Sequence, residues 1–168
     1  AFESIYNPKM ALYVLQKLQL KYPNASLTMV GGGGNKTLLE CQKIAAELNL
    51  NVIFTGKLSK KDWLAISQKS SIFINTTTVD NMPVSVVEAM ALGLPIVSTN
   101  VGGLPYLIQD HVNGVLVNSN DVQAMYDAII DVIENPKSSQ NRVQQARLDA
   151  EQFDWMHLKK HWFQVLSD

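Results

Sequence analysis

Residues 71–99 read SIFINTTTVDNMPVSVVEAMALGLPIVST, and their order decides the fold. Ser71–Asn75 is a short apolar run of the kind that forms a strand buried on both faces. Pro83 stands at a natural first helical position and opens a helix that runs to Leu92, where Gly93 ends it. Pro95–Thr99 is a second buried strand. The same rhythm continues in both directions. Upstream, Pro8 starts a helix carrying Met10, Leu12, Leu15 and Leu18 until Tyr22-Pro23 stops it. Ser26–Val30 reads as a strand, Leu38, Leu39, Ile44, Ala45 and Leu48 as a helix, and Asn51–Thr55 as a strand. Ser59 caps a helix with Trp63, Leu64 and Ile66, and Asp62 stands at its third position. Downstream come a strand at Gly114–Val117, a helix at Asp121–Glu134, and helical stretches at 139–152 and 155–166. Alternating strands and helices with continuously apolar strands specify an α/β domain. Its fold is an open, doubly wound, Rossmann-like parallel sheet with helices on both faces.

Ligands of such sheets bind at the carboxyl ends of strands, among the N-termini of helices. Three loops fall there: Gly31–Asn35, Asn75–Met82 and Thr99–Gly103. The middle one leads into the 83–92 helix. Its first N–H groups, near Val84, Ser85 and Val86, are expected to be unpaired and to point out of an end that carries about half a positive charge. That end suits a phosphate or a sugar oxygen. Around the helix, Val84, Val86, Val87, Ala89, Met90, Ala91 and Leu92 are apolar. Only Ser85 and Glu88 are polar, and a spacing of three puts them on one face. A lone carboxylate in apolar surroundings must find donors. A ribose diol would supply two; a salt bridge or a cap would serve equally.

The chain has 168 residues, enough for one domain with its own core, and neither repeats nor internal linkers divide it. A net charge of −1 argues against a nucleic-acid partner. The one dense basic cluster, Lys159 and Lys160 beside His157 and His161, reads as a solvated helix face. The two histidines lie one turn apart, but HLKKH lacks a third ligand and the glutamate of a zinc-protease helix, so no metal site is expected. Cys41 is the only cysteine, which excludes an intrachain disulfide and fits a reducing compartment. No apolar run is long enough to span a bilayer, and no signal peptide opens the chain. The sequons at Asn24, Asn35 and Asn75 read as chance matches. The start, a helix pattern with no strand before it, reads as that of an excised domain. Gly31–Gly34 fits neither familiar phosphate loop. Asn35 breaks the Walker pattern before Lys36-Thr37, and Lys36 stands where a dinucleotide fingerprint needs its third glycine. Four residues without side chains let backbone N–H groups approach a ligand or a neighbouring domain; a plain strand-to-helix turn would need nothing more.

Read whole, DNMPVSVVEAMALGLPIVSTNVGG (residues 80–103) resembles the signature of retaining glycosyltransferases of family four, a group built from two Rossmann-type domains (GT-B). Two acids eight positions apart match Asp80 and Glu88. Glu88-Ala-Met-Ala, Gly93-Leu-Pro95 and Gly102-Gly103 match the rest. Leu27-Thr-Met-Val-Gly31, Phe54-Thr-Gly56, Asn113-Gly-Val-Leu-Val117 and Phe153-Asp-Trp155 extend the likeness across the chain. The resemblance implies the C-terminal, donor-binding half of such an enzyme, spanning residues 1–168, with the acceptor-binding N-terminal domain outside this chain. It implies that Glu88 accepts hydrogen bonds from the donor ribose and that Asp80, the catalytic candidate, contacts hydroxyls of the transferred sugar. The backbone of Asn81, Met82, Pro83, Val84 and Ser85 would meet sugar and diphosphate. Gly56, Lys57 and Leu58 would line the nucleobase pocket, and Gly33, in the glycine turn, would also meet the donor.

The implied reaction moves a sugar from a nucleoside-diphosphate sugar to a saccharide or lipid-linked glycan, with retention, no cofactor and no metal. The isolated domain is expected to be inactive. The implied setting is cytoplasmic polysaccharide or glycolipid synthesis, peripheral to the inner face of the membrane through the domain outside this chain. The pattern also has departures. Asp80 is one methylene shorter than the family's usual Glu. The Arg and Lys that commonly neutralise the diphosphate fall at or before Ala1 and at Tyr6, with Lys9 nearby, and Tyr106 replaces a frequent Glu. A non-catalytic nucleotide-binding module of the same fold is therefore the alternative. A sugar-nucleotide epimerase fits less well, lacking the Glu-Ala-Met-Ala signature.

Overall fold

The structure is a computed structural model that describes residues 2–33 and 35–167, apart from the side chains of Asn35, His157, Lys160, His161 and Ser167. A single 3-10 turn, Ser4–Tyr6, leads into α1 (Pro8–Lys21). Asn7 precedes α1 at φ 44°, and Pro8, whose fixed φ and missing N–H suit a first turn, follows it. Then come β1 (Leu27–Val30), α2 (Asn35–Glu47), β2 (Val52–Gly56), α3 (Lys60–Ser67), β3 (Phe73–Asn75), α4 (Val84–Ala91) and β4 (Ile96–Thr99). After a four-residue helix α5 (Leu104–Leu107) follow β5 (Val115–Val117), α6 (Val122–Glu134), α7 (Pro136–Glu151) and α8 (Trp155–Ser167). Every strand and long helix read from the sequence is present. Helix α5 was not expected; Pro105 two residues after Gly103 reads as a turn, and four residues carry no periodicity.

All strand pairs are parallel, in keeping with an α/β domain. They form two groups rather than one ladder: β1 pairs with β2, and the second sheet runs β3-β4-β5. A cleft of about 700 Å³ separates the facing edges, β1 on one side and β3 on the other. β4 is buried at all four positions, as a central strand covered by helices on both faces must be.

Three apolar clusters hold these parts together. On one face Met90, Ile96, Leu104, Ile108 and Ala146 join α4, β4, α5 and α7. On the other, Met10 and Val14 of α1 meet Val97, Val115, Met125 and Ile129 of β4, β5 and α6. Leu12 of the same α1 helix turns instead to Phe2, Met29, Cys41 and Ala45, the core of the β1-β2 group. Helix α1 therefore straddles the cleft and fixes both sheet groups to one support. Its outer ties are ionic, Lys9 to Glu40 of α2 and Lys21 to Glu134 of α6. Arg142 of α7, nearly buried, donates to Asp131 of α6 at 2.9 Å.

Candidate functional site

The carboxyl ends of β3 and β4 are joined by hydroxyls. Asn75 donates to Ser98 Oγ at 3.2 Å, and buried Thr99 donates to the Thr77 carbonyl at 2.6 Å. Thr76–Thr78 clasp the segment before α1. Thr76 Oγ1 lies 2.9 Å from the Tyr6 carbonyl, Thr77 Oγ1 lies 3.0 Å from that of Ile5, and the Thr78 N–H donates to Ile5 at 2.7 Å. This clasp was not read from the sequence; three consecutive threonines after a buried strand were its signal.

Beyond the clasp the chain turns through Asp80 and Asn81. The Asp80 carboxylate accepts the Asn81 N–H at 2.8 Å. The Asp80 carbonyl accepts from the Gly103 N–H at 3.0 Å. Contact with Gly102 and Gly103 is so close that a Cβ on either would lie 1.9 Å from a carbonyl oxygen, that of Asp80 or Asn81 respectively. The two glycines thus set the height of the loop that carries Asp80. Close approach is what glycine permits, whatever the side chains around it.

Pro83 is the N-cap of α4, one position earlier than a first helical residue, and has extended φ and ψ. The Val86 N–H, expected to be free, donates to the Pro83 carbonyl at 3.0 Å. The cap residue's own carbonyl closes the first turn, so the free donors are the N–H groups of Val84 and Ser85. Neither has an acceptor among the described residues. Glu88 lies one turn on, on the face of Ser85, with 29% of its side chain exposed. Lys60, the first residue of α3, forms an ion pair with it. The α3 N-terminus is placed by its cap: Ser59 Oγ accepts from the Asp62 N–H at 3.2 Å and donates to the Asp62 carboxylate at 2.7 Å. The Lys60 partnership spans 28 positions and had no sequence signal.

Asp80, Pro83, Val84, Ser85, Glu88 and Leu58 all line the mouth of the cleft between the sheet groups. Met82 beside them is half exposed, and Asn81 faces the Gly-Gly turn. Gly33, Gly56 and Lys57 do not line this cleft. They sit at the ends of β1 and β2, where Gly56 (φ 69°) closes its strand and the Lys57 side chain lies against Gly32. Lys9 is held away by Glu40 at 2.6 Å, a bond that raises the lysine pKa and lowers that of the glutamate. Tyr106 is almost fully exposed. The side chains of His157 and His161 lie outside the described residues. Among those described, no group of three His, Cys, Asp or Glu gathers as metal ligands would.

The family model described as glycosyl transferases group 1 matches residues 1–149. An uncharacterized glycosyltransferase of Haemophilus influenzae is 30% identical over 156 residues, 92% of this chain and 44% of that protein. The D-inositol 3-phosphate glycosyltransferase of Mycolicibacterium smegmatis is 26% identical over 162 residues, 94% of this chain and 37% of that protein. The chain thus spans less than half the length of these relatives. Among solved structures, Anabaena Alr3699/HepE in complex with UDP superposes with a TM-score of 0.90 at 22% identity, over 99% of this chain and 46% of that one. That likeness shows the fold, a GT-B glycosyltransferase domain. With its residues 1–149 matched to the family model, this chain belongs to the glycosyl transferases group 1 family.

Proposed function

We propose that this chain is the donor-binding half of a retaining glycosyltransferase and holds a nucleoside-diphosphate sugar at the mouth of the cleft. The observation that carries this reading is the α4 N-terminus. There the unbonded N–H groups of Val84 and Ser85 and the carboxylate of Glu88 face one space. The N–H groups and the helix dipole suit the diphosphate. Glu88 would accept from the ribose hydroxyls once Lys60 releases it, and Asp80 would contact the transferred sugar. As the sugar–oxygen bond breaks, negative charge grows on the diphosphate. Fixed dipoles aimed at that charge stabilise it without reorganising, and in this reading no metal is required. The acceptor, a saccharide or lipid-linked glycan, would enter from a second domain of the full-length protein. The bond would be made in the cleft between the domains, at the cytoplasmic side of a membrane or free of it.

Support comes from the family match and from the named partner of a structural neighbour, HepE, which was solved with UDP. The test is calorimetric titration of the full-length protein with UDP-, GDP- and ADP-sugars. One of them is expected to bind in the micromolar range, and Glu88→Ala is expected to weaken it about tenfold or more, the worth of a charge-assisted hydrogen bond. Absence of binding to every donor would remove the proposal. Transfer unaffected by EDTA, with the anomeric configuration retained in the product, is the expected outcome of the activity assay.

A second reading, a nucleotide-binding module without catalysis, draws on one feature. Lys9, the cation nearest the usual basic pair, is engaged by Glu40. Donor binding by the full-length protein without any sugar transfer would favour it.

A further inference from the structure

We propose, building on the donor reading above, that Tyr6 belongs to the donor site and that its hydroxyl gives a hydrogen bond to the diphosphate of the nucleotide sugar. A diphosphate presents several anionic oxygens, and an anion drawn out of water must find donors for them. The free N–H groups of Val84 and Ser85 supply two. Ammonium groups are poorly placed to supply the rest. Of the described residues, two lysines line the cleft. Lys60 is paired with Glu88, and Lys69 precedes β3, at the amino end of a strand whose carboxyl end forms the mouth. Lys9, three residues beyond Tyr6, is held by Glu40.

Tyr6 is placed by its backbone. It closes the 3-10 turn, its N–H donating to the Glu3 carbonyl at 3.1 Å. Its carbonyl accepts from Thr76 Oγ1 at 2.9 Å, and the same hydroxyl lies 3.1 Å from the Asn7 carbonyl. Thr76 begins the loop that ends in Pro83 and α4. Tyr6 therefore stands at one end of this loop and the free N–H groups at the other, and both ends line one cleft. Tyr6 is 36% exposed, and its phenol has no hydrogen-bond partner among the described residues. The phenol of Tyr22, by contrast, is directed to Glu134 at 3.4 Å. A phenol offers one directed O–H and brings no charge. With its backbone already tied and only two side-chain torsions to order, it meets a phosphate oxygen at small entropic cost. As the sugar–oxygen bond breaks, charge gathers on the phosphate oxygens, and this hydrogen bond strengthens with it.

Calorimetric titration of the full-length protein and its Tyr6→Phe and Tyr6→Ala variants tests this, with UDP, GDP and ADP and with uridine, guanosine and adenosine as ligands. Thr76 grips the backbone of Tyr6 rather than its ring, so Tyr6→Phe keeps the clasp and removes one hydroxyl. For the nucleoside diphosphate that binds, Tyr6→Phe is expected to lower affinity about tenfold, the worth of a hydrogen bond to a charged group. For the matching nucleoside, affinity should not change. Equal diphosphate affinity in Tyr6→Phe and the parent overturns the proposal, and a loss confined to Tyr6→Ala would then assign the ring to packing. A loss of the same size with the nucleoside overturns it too, by moving the hydroxyl to the ribose or base. If Glu88→Ala weakens nucleotide binding and Tyr6→Phe does not, the Tyr6 assignment falls and the donor reading stands. If no nucleotide binds the parent protein, both fall.

Discussion

Glu88 and Lys60 show what a sequence reveals at the scale of single residues and what it hides. Glu88 was legible because its helix is apolar apart from Ser85, so its polarity had to have a reason. Lys60 was not, because only folding brings a residue 28 positions away to it. The pair is exposed on the lysine side, where ion pairs contribute little to stability. In the reading proposed above its effect would fall on binding instead, since it occupies the carboxylate that a ribose would use. Lys60→Ala is expected to tighten nucleotide binding by about two- to fivefold, the worth of a surface pair. A loss of affinity in the same titration would place Lys60 on the diphosphate. Gly103 makes a different prediction. Its φ of −85° is open to any residue, so the obstacle is space alone. Gly103→Ala puts a methyl 1.9 Å from the Asn81 carbonyl, and overpacking of this kind costs about 1–3 kcal/mol. Melting should fall by roughly 3–10 °C in a domain of this size, and donor binding should weaken as the Asp80 loop moves.

At the scale of elements, strand and helix positions were read to within a few residues. Gly, Pro, Ser and Asp mark the ends, and each acts through its own local chemistry. Asp121 is one such marker. As N-cap of α6 it accepts the Ala124 N–H at 2.8 Å. Asp121→Ala should cost about 1 kcal/mol, read as a shift in the denaturation midpoint at constant slope. The clasp of Thr76–Thr78 escaped the reading because its partners, the carbonyls of residues 5–7, are backbone groups and leave no trace in the sequence. The first free donors of α4 were placed correctly except for Val86, since Pro83 stands outside the helix and its carbonyl takes that N–H. Buried Cys41 is another case where environment decides. Burial pushes its thiol pKa up, so the reactive thiolate is scarce at neutral pH. A thiol reagent should modify it only in denaturant; prompt reaction with the native protein would contradict the packing around α2.

At the scale of the whole molecule, the strand order was the least legible feature. Apolar runs identify strands, but which edges meet is settled by the helices that cross between them. Helix α1 is that crossing element, and its two outer ion pairs titrate. Glu40 and Glu134 are both held below their usual pKa by hydrogen bonds from Lys9 and Lys21. A depressed carboxylate stabilises the fold above its unfolded pKa, and that contribution is lost as pH falls through the folded value. Stability should therefore decline below about pH 4.5, by an amount that shrinks in high salt because both pairs are exposed. Equal acid sensitivity in Glu40→Gln/Glu134→Gln would show that other groups govern it. The reach of α1 also bears on the order in which the molecule can form. Asn7 bonds to Asn120 and Lys21 to Glu134, each 113 positions away, and Val14 packs against Met125 and Ile129. On a ribosome, α1 emerges long before its partner helix exists. Until about residue 134 has left the exit tunnel, the side of α1 that packs on α6 lacks that helix to bury itself against. Ordering so distant a contact is slow, and the waiting apolar face is the part of the nascent chain most open to chaperones.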